Sequence, residues 1–174
     1  MHIPATLTPA EFEEHVRTWM ENAGNGLCNF QVNRLETVEG SGGDYEMDAV
    51  ARFTAFGGAE FVVLVECKHH SNPIKREVIQ VLESKLRDAK AQKGMVFATR
   101  NFQKGALEFA AAHGIATVLV SDAGTEYMTK SWVSRPRATP GHAIPWLCSP
   151  TEEGISFQRA DCTGSERLRL WLQG

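Results

Sequence analysis

Along the chain, apolar positions fall first at helical spacing, then at strand spacing, and then in alternating blocks of the two. Thr8-Pro9-Ala10-Glu11 carries the signals of a helix start, with Thr8 as N-cap, Pro9 at the first helical position and Glu11 completing a capping box. Phe12, Val16, Trp19 and Met20 follow at helical intervals, and Gly24 or Gly26 ends the run. Residues 27–38 mix apolar and polar positions as a strand does, and the cluster at 39–44 reads as a turn. Residues 47–56 alternate again, with Gly57-Gly58 marking a hairpin. The next stretch, 60–68, contains Phe61-Val62-Val63-Leu64-Val65, too apolar for a strand with one wet face. Such a run predicts a central strand covered on both sides.

The second half reads as helix and strand in turn. Asn72 can cap and Pro73 can open a helix whose apolar stripe is Ile74, Val78, Val81, Leu82, Leu86 and Ala89, with Gly94 as its stop. Residues 95–99 form a short buried strand, 103–112 a helix with Gly114 beyond its end, and 115–120 another strand. Strands alternating with helices pair in parallel through right-handed crossovers. The expected class is therefore α/β: a central mixed sheet, an antiparallel meander leading into parallel strands, flanked by helices. Beyond Ser121 the pattern weakens: 135–141 reads as loop, with two short strands or a terminal helix expected to follow. Trp132, Trp146 and Trp171 are expected to cover the core, with a subunit contact as the alternative. One domain over residues 1–124 and a C-terminal extension over 125–174, packed on that domain or at a subunit interface, is the expected organisation. No internal repeat or low-complexity segment is present.

Composition adds little. With 174 residues, 43% hydrophobic and 22% charged, the chain has the size and balance of one globular domain. No apolar stretch approaches the roughly 20 residues that span a bilayer. Met1-His2-Ile3-Pro4 carries no secretory pattern. Cys28, Cys67, Cys148 and Cys162 form no C-x-x-C pair, which argues against structural zinc. A reduced, cytoplasmic protein is the expectation.

Charge distribution says more than the net charge of −3. Residues 1–67 hold 11 acids and 3 bases, whereas 68–104 hold 9 bases and 3 acids. Clustered Lys and Arg are the electrostatic footprint of a phosphate binder, although a solvated helix face has the same composition.

The candidate chemistry lies where the two kinds of segment meet. Side chains alternate along a strand, so Glu66 and Lys68 share a face while Cys67 points away. A hairpin brings Asp48, at the start of one strand, beside Glu66, at the end of the next. Two carboxylates and an ammonium then converge at the edge of an apolar sheet, where unpaired charge costs several kcal/mol. Paired carboxylates suit a hard divalent cation such as Mg²⁺, which takes oxygen ligands and keeps several waters. Such a cation neutralises phosphate charge and lowers the pKa of a bound water, as phosphodiester hydrolysis requires. Lys68 would position or help deprotonate that water, and the Cys67 main-chain carbonyl is a further ligand candidate. A lone E-x-K is weak evidence, since it also reads as a strand-end ion pair. Its context is what gives it weight: an apolar strand before it, an aspartate at the partner strand and a basic helix after it.

Residues 42–48 (Gly-Gly-Asp-Tyr-Glu-Met-Asp), followed by Val65-Glu66-Cys67-Lys68, resemble the PD-(D/E)xK nuclease superfamily, and most nearly its Mrr-like restriction endonucleases. The likeness continues through 93–99, 102–106 and His113-Gly114-Ile115, covering roughly residues 9–120. It implies the restriction-endonuclease-like fold and a DNA endonuclease, with Asp48 and Glu66 binding Mg²⁺ or Mn²⁺ and Lys68 serving the attacking water. It further implies a first-helix glutamate facing the site, matched by Glu13, and a polar residue on the helix after the lysine, matched by Gln80. Met47 replaces the family's proline before the aspartate. No separate DNA-recognition domain fits in this length, so a homodimer or a partner chain is expected to supply recognition and the second active site. His69, Lys75, Arg76, Arg100 and Lys104 are candidate DNA contacts. The alternatives are a DNA-repair or junction-resolving nuclease, and a non-catalytic DNA-binding subunit that keeps the fold.

Overall fold

The computed structural model describes residues 7–122 and 124–130, together with the backbone of 146–151 and 154–159. A six-stranded sheet in the order β1-β2-β3-β4-β5-β6 carries helix α1 on one face and α2 and α3 on the other. Strands β1 (Cys28–Gly40), β2 (Gly43–Ala55) and β3 (Ala59–Lys68) form an antiparallel meander. β4 (Lys93–Ala98) and β5 (Ala116–Ser121) extend it in parallel. The connections run through α2 (Arg76–Asp88) and α3 (Lys104–Ala112). This is the mixed α/β sheet that the residue pattern predicts.

α1 (Pro9–Ala23) begins on the predicted capping box, with Thr8 and Glu11 satisfying each other's backbone N–H groups. Its buried face is Phe12, Val16 and Met20, packed on Val63, Val65, Phe97 and Val118. On the opposite face Leu64, Val96 and Ala98 meet Ile79, Leu82, Ala106 and Ala110. Consecutive residues of β3 thus enter two different cores, which is why Val63-Leu64-Val65 has no polar position. Each fully buried side chain of this kind contributes about 1.5–3 kcal/mol.

Several details depart from the sequence reading. α2 starts at Arg76, with Lys75 at the N-cap, and not at Pro73. Ile74 is buried as expected, but in a parallel bridge to Phe102 that uses its backbone N–H and C=O, so the helix starts only after it. Val81 is 56% exposed, and Ile79 is the buried residue that the stripe omitted. Gly94 does not end the helix, which closes at Ala89. It lies inside β4, where a Cβ would stand 2.6 Å from Leu86 Cδ1 and 3.2 Å from Leu82 Cδ2. Glycine is what lets α2 pack this closely on the sheet.

The turn expected over 39–44 is confined to Ser41-Gly42, because β1 and β2 pair as far as Gly40 and Gly43. Asp48 is therefore inside β2 and not at its start. β6 (Gly124–Thr129), which no pattern announced, pairs antiparallel with β5 and continues the sheet past residue 124. A separate two-stranded hairpin joins β7 (Trp146–Thr151) and β8 (Gly154–Arg159). Trp132, Trp171 and the side chain of Trp146 lie outside the described residues.

Candidate active site

Three strands meet at the candidate site, and a break in the meander positions its first carboxylate. In β2, Tyr45 and Met47 face the α2–α3 core, whereas Ala49 and Ala51 face the α1 core. The inward set changes face across Asp48. Opposite it on β1, Leu35 takes a positive φ of 48° and is 57% exposed. That left-handed conformation costs a leucine about 1–2 kcal/mol. β3 pairs with β2 only from Ala49↔Val65 onward, so the ladder ends just below Asp48. Asp48 Oδ2 then accepts the Cys67 backbone N–H at 2.6 Å, completing a hydrogen bond that the ladder leaves open.

Register puts Glu66 level with Asp48, on the face of β3 toward α2. Lys68 Nζ donates to Glu66 Oε1 at 2.5 Å, as two residues on one strand face should permit. Burial raises the Asp48 carboxyl above its ordinary value, the Cys67 N–H opposes that shift, and the nearby Glu66 and Glu13 charges add to it. The Cys67 thiol turns the other way, against the α1 core, and burial pushes its pKa up. It therefore stays protonated and unreactive.

Glu13 lies near enough for its charge to act on Asp48 and Cys67. Its carboxylate is held by Arg34, at 2.8 Å, with Glu14 on the same guanidinium at 3.2 Å. Gln80 is exposed and makes no hydrogen bond to Asp48, Glu66 or Lys68 among the described residues. The α2 side chain that does reach Glu66 is Lys85, with Nζ 3.5 Å from Oε2. Neither Arg34 nor Lys85 was singled out by the sequence reading. Lys85 had a signal, a charge standing between Leu82, Leu86 and Ala89 in an apolar stripe; Arg34 had none.

The five candidate DNA contacts are all exposed. His69 stands at the end of β3, its ring 5.9 Å from that of Phe12. The β3–α2 loop and the β4–α3 loop are joined where Ile74 N–H donates to Asn101 O and Gln103 N–H donates to Ile74 O, both at 2.9 Å. This bridge gathers Lys75 and Arg76 with Arg100 and Lys104 at the ends of the parallel strands. Arg76 stacks 4.8 Å above the Phe109 ring, and Lys104 makes a 3.7 Å exposed pair with Glu108.

As a place for a cation, the site is open. Among the described residues, no three His, Cys, Asp or Glu side chains cage a metal by themselves. Two carboxylates on adjacent strands, one with an oxygen that no hydrogen bond takes among these residues, still make a hard, oxygen-only donor set. That chemistry fits a cation that keeps part of its water shell.

A family model described as restriction endonuclease (Mrr_cat) matches residues 4–123. Among solved structures, the protein of unknown function AF1548 is 18% identical with a TM-score of 0.50, over 62% of this chain and 55% of its own. The DNA modification-dependent restriction endonuclease AspBHI is 15% identical with a TM-score of 0.39, over 70% and 34%. This chain thus spans about half the length of the first and a third of the second, and at such identity AF1548 speaks for the fold alone. No curated protein matches the chain. The family match covers most of the described domain, from α1 through β5, and includes both carboxylates and the lysine: the chain belongs to the Mrr_cat family of restriction endonucleases.

Proposed function

We propose that this chain is a metal-dependent endodeoxyribonuclease that hydrolyses DNA phosphodiesters with Mg²⁺ or Mn²⁺, in restriction or another defence role. The observation that carries the reading is the seam itself: Asp48 anchored on the Cys67 N–H at 2.6 Å, beside a Glu66 that is 2.5 Å from Lys68. A structural ion pair needs no second carboxylate half-buried next to it, and Asp48 is held there although burial disfavours its charge. Asp48 and Glu66, with the Cys67 main-chain carbonyl, would hold the cation. When bound, it supplies charge neutralisation at the phosphate and a lowered pKa for a bound water. Lys68 orients the attacking water and stabilises charge that accumulates on the phosphorane oxygens. Glu13, clamped by Arg34, tunes the field at Asp48 from the α1 side.

Lys75, Arg76, Arg100 and Lys104, with His69, would take the phosphates that flank the scissile one. Such contacts position the duplex without reading its sequence. A homodimer or a partner chain would supply recognition and the second cut of a double-strand break. The domain of residues 1–124 carries the chemistry in this reading, and 125–174 serves as an extension of it or as a contact surface. Among the described residues, no helix is long and apolar enough to cross a membrane.

Cleavage of supercoiled and linear DNA, methylated and unmethylated, with Mg²⁺, Mn²⁺ or EDTA tests the proposal. Wild type should cut only with metal, and Asp48→Ala and Lys68→Ala should each lose about 10³-fold or more. Cutting that survives both substitutions would mean that the active site lies elsewhere.

A further inference from the structure

Glu66 is held from both sides. Lys68 occupies Oε1 at 2.5 Å, and Lys85, from α2, stands 3.5 Å from Oε2. All three side chains are mostly shielded, with Glu66 16%, Lys85 19% and Lys68 25% exposed. One carboxylate needs one counter-charge. A second ammonium on an otherwise apolar helix face carries a desolvation cost that the Glu66–Lys68 pair does not require. Lys85 also arrives from a different element than Lys68, so the two are not locked to move together.

We propose that Lys85 is a positioning residue of the active site, holding the Glu66 carboxylate from the α2 side so that Lys68 can leave it for the scissile phosphate. This rests on the nuclease reading above. Lys68 cannot both stay hydrogen-bonded to Glu66 Oε1 and reach the reacting phosphate from one ammonium. With Lys85 in place, Glu66 keeps its rotamer and a hydrogen-bond donor while Lys68 turns to the substrate. Lys85 touches Glu66 and not the reacting atoms, and its ammonium also opposes a cation bound by the same carboxylate.

The test uses the full chain with Lys85→Met and Lys85→Arg, reading Mn²⁺ binding by calorimetry and plasmid cleavage at saturating Mn²⁺. Methionine fits the apolar stripe of α2, and thermal melting of each variant checks that it folds. Lys85→Met should bind Mn²⁺ about tenfold tighter, because a positive charge beside the ligand is gone. Its kcat should fall about tenfold or more with KM changed less than about threefold, and Lys85→Arg should restore both quantities. A folded Lys85→Met protein matching wild type in kcat overturns the inference, whether or not Mn²⁺ binding tightens. So does a folded Lys85→Arg protein that restores neither quantity. Wild type that neither binds Mn²⁺ nor cuts DNA would overturn the nuclease reading and this inference together. Wild type that does both, with Lys85→Met unaltered, sinks the inference alone.

Discussion

The meander β1–β2–β3 and the parallel half β3–α2–β4–α3–β5 share one strand and place their functional groups by opposite means. The parallel half is regular. Its crossovers stack two helices on one face, its strands pair in even register, and its basic residues sit where strands end and helices begin. The meander is irregular where it matters. Leu35 sits at a positive φ, β2 exchanges its inward face across Asp48, and a side chain stands in for a missing ladder bond. Regular structure suffices to present cations to solvent, where they are cheap. Holding a half-buried carboxylate beside another takes a local break in the sheet and a backbone donor to steady it. The site forms at the seam because only β3 belongs to both halves.

That contrast can be broken at several points. Asp48→Asn keeps the shape and an acceptor for the Cys67 N–H, yet removes the charge, and cleavage should drop about 10³-fold. Stability should move the other way. The folded pKa of Asp48 is raised above the ordinary 3.8, so this carboxyl favours folding below that value and loses that contribution as pH rises through the folded pKa. At pH 7–8 the Asn variant should therefore melt higher than wild type, with the gain fading as pH falls toward 4. A variant that melts lower at neutral pH would show that the charged hydrogen bond to Cys67 outweighs burial.

In the parallel half, Leu82→Ala should cost about 2–5 kcal/mol in denaturant unfolding, since the side chain is fully buried against the sheet and beneath it Gly94 leaves no slack. In the meander, Leu35→Gly should raise stability by about 0.5 kcal/mol, because relief of the left-handed leucine exceeds the added chain entropy and little burial is lost. A loss of more than about 1 kcal/mol there would mean that Leu35 packs on something that its exposure conceals. The smallest effect is expected where the two halves are pinned together. The Asp88 carboxylate, at the end of α2, accepts from Ser41 Oγ, the Gly42 N–H and Tyr45 Oη at the β1–β2 turn. Those bonds hold its pKa below 3.8, so their contribution is complete above that value and disappears as pH falls through the lower folded one. Asp88→Asn should flatten that acid limb of the melting curve and leave neutral-pH cleavage unchanged.

What was legible in advance follows from local periodicity. The capping box at Thr8, the two-core strand at 61–65, the parallel crossovers and the shared face of Glu66 and Lys68 each depend on residues close in sequence. The misplaced start of α2 has a tertiary cause: Asn72-Pro73 looks like a helix start, but the backbone of Ile74 is claimed by the strand-like bridge to Phe102, nearly thirty positions away. β6 went unread because its residues are half exposed, so alternation is blurred.

The sequence alone determined that a mixed α/β sheet would form, and that Asp48, Glu66 and Lys68 would gather near one end of it, because strand alternation and hairpin pairing leave few other arrangements. Only the tertiary structure decided how those charges are balanced. Arg34 comes to Glu13 across 21 residues, Lys85 to Glu66 across 19, and the Asp48 carboxyl to the Cys67 N–H across another 19. Each partner is set by how helices and strands pack rather than by any spacing along the chain, since a charge finds its counter-charge in space and not in order.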